Sequence, residues 1–243
     1  MPGYPEPRFL PAGDLALSVE FGDVISPELN AQVRALEHLI RTRGVGGVVE
    51  TVPSYRSLLV YYDPFVVAYG ALIAALRELL PHARPAALPP PRLVELPAAY
   101  GGDLGFDLDA AAGKLGLGPD ELARLHAGAE YLVHFIGFTP GLPYMGGLPD
   151  RLAIPRLEQP RTATPPGSIG IGGAQCCIYS VESPGGFWII ARTPLRLYDP
   201  AAVDPVLLRP GDRVRFRMIG HAEYEMLAAA VAAGTFAPAI TPA

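Results

Sequence analysis

Few side chains of this 243-residue chain could do chemistry, and they are unevenly spread. Among its five histidines, His126, His134 and His221 are the candidates for proton transfer, because imidazole titrates near neutrality. His134 sits in an alternating apolar run and reads as a strand-face residue, while His221 reads as a cap on the last helix. His126 closes a short helix just before a glycine-rich stretch, so it is the first candidate for a general acid or base, beside an ordinary reading as a helix-terminal histidine. Between positions 131 and 191 only Asp150, Arg151, Arg156, Glu158, Arg161 and Glu182 are charged. In so charge-poor a region Arg156, Arg161 and the following Arg192 could clamp a carboxylate or phosphate through paired N–H donors. The competing reading pairs them with Glu158, Glu182 or Asp150.

Several familiar chemistries are excluded. There is no lysine-bearing phosphate loop, and Lys114 is the single lysine of the chain. Gly170 and Gly172 begin a dinucleotide fingerprint that Gln175 fails to complete. Ser168 follows Gly167 directly, so the nucleophile-elbow spacing is absent. Gly167, Gly170, Gly172 and Gly173 are read either as tight strand corners or as a cradle of backbone N–H groups for an anion. Cys176 and Cys177 are adjacent, which suits neither a long-range staple nor a zinc site, and no metal site is expected.

Composition narrows the class further. The 27 Gly and 28 Pro break the chain often, yet half of it is hydrophobic and the net charge is only -5, which is the composition of a folded chain. A pI near 5.5 argues against a nucleic-acid partner. Mean hydropathy is +0.25, but each uncharged stretch is interrupted by Gly or Pro, so no membrane span is expected. The N-terminus lacks a cationic region followed by an apolar one, so a cytoplasmic protein is expected.

The elements that must position these residues fall into two groups. Alternation at 15–21 reads as a strand. Ser26-Pro27-Glu28 supplies a helix start, with Leu29, Val33, Leu36 and Ile40 on one face up to Gly44. Strands at 47–52 and 57–62 form a hairpin, and Asp63-Pro64 opens a second helix carrying Phe65, Tyr69, Leu72, Ile73, Leu76 and Leu80 inward. A short run at 92–96 offers a last strand, completing a split βαβ order of ferredoxin-like type. The proline-rich stretch 85–91 places a boundary there, giving domains 1–91 and 92–243. Two short helices follow, the first capped by Asp107 and the second opened by Pro119-Asp120-Glu121. Short strand-like runs with Gly and Pro corners then point to a closed or nearly closed β-barrel. Val214, Phe216 and Met218 face inward on a strand whose Arg213, Arg215 and Arg217 form a solvated stripe, ahead of a final Ala-rich helix. The fold class is α+β.

One ordered series of motifs adds to this reading. It runs through His126, Gly137-Phe138-Thr139-Pro140-Gly141-Leu142-Pro143-Tyr144, Gly147-Leu148, Pro155-Arg156, Pro160-Arg161 and Pro166-Gly167-Ser168. It continues through Gln175, Ile178-Tyr179, Ser183-Pro184-Gly185-Gly186, Arg192-Thr193-Pro194 and Pro210-Gly211-Asp212. This series, with Ala12-Gly13-Asp14 and the SLLVYYDP run before it, resembles the KipI-like family, whose members are also called 5-oxoprolinase B subunits or allophanate hydrolase subunit 1. The family is related to the carboxyltransferase domain of urea amidolyase. The resemblance implies a ferredoxin-like N-terminal domain followed by a cyclophilin-like β-barrel. It also implies ATP-dependent opening of 5-oxo-L-proline to L-glutamate together with the A subunit and the KipA-like C subunit, ATP being bound with the partner. No biotin-attachment Met-Lys-Met motif is present, so a covalent biotin is not expected.

On the resemblance, His126 would be the acid or base, and Arg156 and Arg161 would hold anionic groups. Backbone amides around Gly141, Gly167 and Ser168 would shape the pocket, with Tyr144, Gln175 and Arg192 among the binding residues. The family names also leave two other readings: an inhibitor of a sensor histidine kinase, and a component for carboxyl transfer of the allophanate hydrolase or urea carboxylase kind. Cys177 stands where the family commonly has glycine, and Phe187 where it has tryptophan, with Trp188 following.

Overall fold

The computed structural model describes residues 3 to 242. The chain divides into two compact units, Met1–Pro90 and Pro91–Ala243. No helix among the described residues is long and apolar enough to cross a membrane.

The first unit contains β1 (Arg8–Pro11), β2 (Ala16–Glu20), α1 (Pro27–Arg43), β3 (Val48–Pro53), β4 (Ser57–Tyr62) and α2 (Tyr69–Leu79). The α1 start follows from its sequence: the Ser26 hydroxyl accepts the Leu29 N–H at 3.1 Å, Pro27 takes a position that needs no N–H donor, and Glu28 faces the positive helix end. Its end is set at Gly44, in the left-handed conformation, whose N–H closes onto the Ile40 carbonyl. The sheet is antiparallel throughout, in the order β1-β2-β4-β3. Leu17, Val19, Leu58 and Val60 of the sheet bury against Leu29, Val33, Leu36, Leu72 and Leu76 of the helices.

Two expectations are corrected here. Asp63-Pro64 does not open α2: the Asp63 carboxylate accepts the Phe65 N–H and its carbonyl those of Val66 and Val67, so the cap closes a turn. Phe65 is consequently solvent-exposed rather than inward, and α2 begins at Tyr69. The run at 92–96 does not complete the first sheet either. The edge beside β2 is taken by β1, whose residues from Arg8 pair antiparallel with β2, while Arg92 opens a long strand of the second unit.

That second unit contains β5 (Arg92–Tyr100), α3 (Leu108–Leu115), α4 (Pro119–Ala127), β6 (Glu130–Ile136), β7 (Pro143–Gly146), β8 (Arg161–Thr164), β9 (Ser168–Gly172), β10 (Gln175–Ile178), β11 (Ser183–Gly185), β12 (Trp188–Arg192), β13 (Arg213–Ile219), α5 (His221–Ala232) and β14 (Ala239–Pro242). Seven strands close into a barrel in the order β5-β12-β9-β10-β7-β6-β13 and back to β5. The β5–β13 pair is parallel and the other barrel pairs are antiparallel. β14 pairs with the first half of β5, and β12 with its last two residues. β8 and β11 form a separate two-stranded ribbon.

The interior is filled by alternate residues such as Val94, Leu96, Val133, Met145, Ile169, Ile171, Ile178, Ile190 and Phe216. The β13 arginines form the solvated face expected of them, with Arg213 and Arg215 on Glu130 and Arg217 between Glu95 and Glu223. Met218 departs from the expected alternation and lies exposed, and Ile219, on the arginine side of the strand, is buried in a separate cluster with Leu104 and Leu227.

Candidate active site

Strand β10 decides the site. Its residues alternate across the barrel wall: Cys176 and Ile178 enter the interior, while Cys177 and the following Tyr179 join an outer cluster with Leu142, Phe187 and Ile189. On this outer face lies a cavity of about 330 Å³. Tyr144, Cys177 and Tyr179 come to it from the sheet, Phe138 from the 137–141 loop, and Pro184, Gly185 and Gly186 from the ribbon side. Gly170 and Gly172 of β9 keep the wall flat, since a Cβ on either would stand 2.7 Å and 3.1 Å from Phe187 atoms.

Among the described residues one cation lines the cavity. Arg156 lies with its guanidinium carbon 4.6 Å from the Phe187 ring centroid, and its Nη2 donates to Gln175 Oε1 at 3.1 Å. This bracing leaves the head group with further N–H donors. The other polar groups are neutral. Burial raises the pKa of the Tyr144 and Tyr179 phenols and pushes the Cys177 thiol well up, the nearby Arg156 charge opposing the last shift only in part. Tyr144 is stacked on Phe135 with ring centroids 4.5 Å apart. The Tyr179 hydroxyl fits only because position 185 is glycine: a Cβ there would stand 1.8 Å from it. Among the described residues no carboxylate or imidazole lines the cavity, and no group of three or more His, Cys, Asp or Glu is placed to hold a metal ion.

The expected site residues separate into two sets. Tyr144, Arg156 and, through Arg156, Gln175 are brought together at the cavity. The others are not. His126 is corrected: it lies fully buried, packed 4.8 Å from the Phe216 ring and 5.1 Å from that of Tyr131, facing away from the cavity. The Tyr100 hydroxyl is 2.7 Å from its Nδ1 and the Cys176 sulfur 3.3 Å from its Nε2, so a neutral imidazole satisfies both neighbours. Burial holds its pKa down to about 3, and an imidazole without access to ligand cannot exchange protons with one.

Arg161 is corrected as well. Its guanidinium is held by the Asp107 carboxylate, which also accepts the Ile189 N–H at 2.7 Å. The partner is therefore neither Glu158, Glu182 nor Asp150, and Asp107 uses its side chain for this tie instead of capping α3. Gly141 and Gly167 are packing residues: both have positive φ, and a Cβ on Gly167 would meet the Thr193 carbonyl oxygen at 2.3 Å. Ser168 is fully buried. Its strand neighbour Arg192 bonds Tyr224 of α5, and neither Ser168 nor Arg192 lines the cavity. Cys176 and Cys177 are free thiols on opposite faces of β10.

Sequence reasoning misses Tyr179 and Phe138 as cavity residues. A signal for Tyr179 exists, because it follows Cys177 by two along an extended segment and so shares its face. For Phe138 the only sign is its place between Gly137 and Pro140 in a turn-rich loop.

Residues 7–208 match the family model described as "Carboxyltransferase domain, subdomain C and D". The chain is 36% identical over 222 residues to the B subunit of 5-oxoprolinase from Bacillus subtilis, covering 87% of this chain and 92% of that protein. It is 39% identical over 205 residues to the B subunit of 5-oxoprolinase from Escherichia coli O157:H7, covering 84% and 92%. The crystal structure of TTHA0988 superposes with a TM-score of 0.75 at 35% identity, covering 84% of this chain, which spans 40% of that longer one.

Proposed function

This chain belongs to the family of carboxyltransferase domains, subdomains C and D, and on that premise we propose that it is the B subunit of an ATP-dependent 5-oxoprolinase. In this reading it works in a cytoplasmic hetero-oligomer with the A subunit and the KipA-like C subunit. The observation that carries it is the near full-length similarity to two 5-oxoprolinase B subunits, each covered to 92%. In the reaction two waters are consumed overall: one adds across the ring C–N bond of 5-oxo-L-proline to give L-glutamate, and the other is taken up as one ATP becomes ADP and phosphate. A lactam carbonyl is a poor electrophile, so the coupling to ATP serves to activate it.

Within this reading the outer-face cavity is the site, and Arg156, braced by Gln175 and Phe187, is the anion holder. Tyr144 supplies a flat aromatic wall. The finer fold assignment follows the same line. The barrel is of cyclophilin-like type, and the first unit is a ferredoxin-like variant in which β1 stands where the final strand would be. The test is reconstitution: the chain is combined with its A and C partners and 5-oxoproline-dependent ATP hydrolysis is measured. Activity in the full set that disappears on omitting this chain is the expected result, and no activity in the full set overturns the reading.

A further inference from the structure

The cavity is rich in hydrogen-bond donors and, among the described residues, lacks any group that could accept a proton from water. Arg156 is a permanent cation, and the Tyr144 and Tyr179 phenols and the Cys177 thiol carry their protons at neutral pH. The nearby histidine, His126, is on the opposite face of β10. Such a lining stabilises negative charge on a ligand and cannot remove a proton from one.

Tyr179 is prepared for donation. It lines the cavity with its hydroxyl packed against Gly185, and a phenol that keeps its proton can donate it to a ligand. Arg156 supplies the second fixed point, lying on the Phe187 ring at the same wall. A nucleotide triphosphate does not match this lining. It carries several negative charges, whereas the cavity holds one cation, and its roughly 330 Å³ lies near the lower bound of ligand pockets. Lys114, the single lysine, is engaged over the Trp188 ring.

We propose that this cavity is the oxyanion half of the lactam site: it takes a small cyclic amide bearing a carboxylate, Arg156 holding the carboxylate and the Tyr179 hydroxyl donating to the ring carbonyl oxygen, while the base and the nucleotide come from a partner protein. This rests on the 5-oxoprolinase reading and adds to it which part of the chemistry belongs to this chain. The Tyr179 hydrogen bond draws charge onto the carbonyl oxygen, and fixing both ends of the ring orients its carbonyl carbon toward whatever the partner brings.

The experiment uses the assembled complex with Tyr179→Phe or Arg156→Gln in this chain. Tyr179→Phe is expected to lower kcat/KM for 5-oxoproline on the order of 100-fold, as loss of one oxyanion donor does, with the KM for ATP unchanged. Arg156→Gln is expected to raise the KM for 5-oxoproline on the order of 10-fold, again sparing ATP. Calorimetry on the isolated wild-type chain gives an arm that needs no variant. 5-Oxoproline should bind at least about tenfold more tightly than 2-pyrrolidone, which lacks the carboxylate, or proline, which lacks the ring carbonyl, and ATP should not bind. Unchanged 5-oxoproline kinetics in both variants, equal binding of the analogues, or a raised KM for ATP alone would overturn the proposal while leaving the 5-oxoprolinase reading intact. Absence of 5-oxoproline-dependent hydrolysis in the wild-type complex would instead sink the reading and the proposal with it.

Discussion

Cys176 and Cys177 are neighbours in the chain and occupy opposite sides of the barrel wall. The Cys176 sulfur is 3.3 Å from His126 Nε2 in the interior, and Cys177 lines the outer-face cavity. Both side chains are almost completely buried, yet one belongs to the core and the other to the candidate site. Strand alternation alone produces this division, because successive side chains of an extended segment point to opposite faces.

Substitutions at the two cysteines should therefore separate stability from function. Cys176→Ala removes one buried packing group and is expected to cost about 1 kcal/mol, without altering the KM for 5-oxoproline. Cys177→Leu adds volume to the cavity wall and is expected to raise that KM on the order of tenfold, since an overfilled pocket costs roughly 1–3 kcal/mol. Denaturant unfolding and steady-state assays of the reconstituted complex read the two effects; a KM change from Cys176→Ala would refute the division.

His126 should make the protein sensitive to mild acid. Its folded-state pKa is held down to about 3 from 6.5 by burial. As pH falls the unfolded chain takes up the proton first, so stability declines below about pH 6.5 and continues to decline toward pH 3. At pH 5 the loss from this one group is about 2 kcal/mol, since each pKa unit is worth about 1.4 kcal/mol. His126→Gln keeps a polar group in place and removes the titration. Urea unfolding at pH 7 and pH 5 should give a smaller acid loss for the variant by about that amount, and parallel losses in the two proteins would refute the assignment.

What is legible in the sequence follows the range of the interactions concerned. α1 is legible because its signals are local: Ser26, Pro27 and Gly44 each act within a turn of the helix they bound. The barrel is legible because its corners need Gly and Pro and its charge-poor strands need little else. Asp63-Pro64 misleads for the converse reason, since the same cap chemistry closes a turn as readily as it opens a helix. The β1–β2 pairing depends on backbone bonds that leave no mark on an alternation as short as four residues. At the site, Arg156 stands out because cations are few in the charge-poor stretch between positions 131 and 191. Arg161 looks equivalent, but its partner Asp107 lies 54 positions away and cannot be inferred from spacing. His126 misleads because ending a helix says nothing about which side of a barrel wall the side chain will face.

Asp107 ties α3 to two strands, so its removal should be felt well beyond its own helix. Its carboxylate holds Arg161 at the start of β8 and the Ile189 N–H of β12, and its N–H returns to the Ile189 carbonyl. Asp107→Ala leaves a buried N–H without a partner and a half-buried guanidinium without its counter-charge. An expected cost of about 2–3 kcal/mol follows from breaking a charged hydrogen bond in the interior. Because Arg161 also reaches the Phe187 carbonyl, the cavity wall should loosen and the KM for 5-oxoproline should rise along with the fall in Tm. A variant as stable as wild type would show that the tie contributes nothing.

Phe138 is the one non-glycine residue with positive φ among the described residues, at 67°, and it stands at the cavity with 64% of its surface exposed. An exposed aromatic ring on a left-handed backbone has no reason in packing, and the conformation itself costs about 1 kcal/mol or more. The loop sustains it through local bonds: Thr139 donates to Gly137, Gly137 to Leu142, and the Ser180 hydroxyl to the Pro140 carbonyl at 2.6 Å. The strain is thus retained where it presents the ring over the mouth of the site. Phe138→Gly removes both the strain and the ring. It should leave stability unchanged or raise it by up to about 1 kcal/mol, while raising the KM for 5-oxoproline on the order of tenfold, because the ligand then buries less apolar surface on binding. Phe138→Leu should restore part of the affinity but keep the strain. If instead Phe138→Gly leaves the KM unchanged and weakens assembly with the partner proteins, measured by analytical ultracentrifugation, the ring belongs to the interface of the complex and not to the ligand.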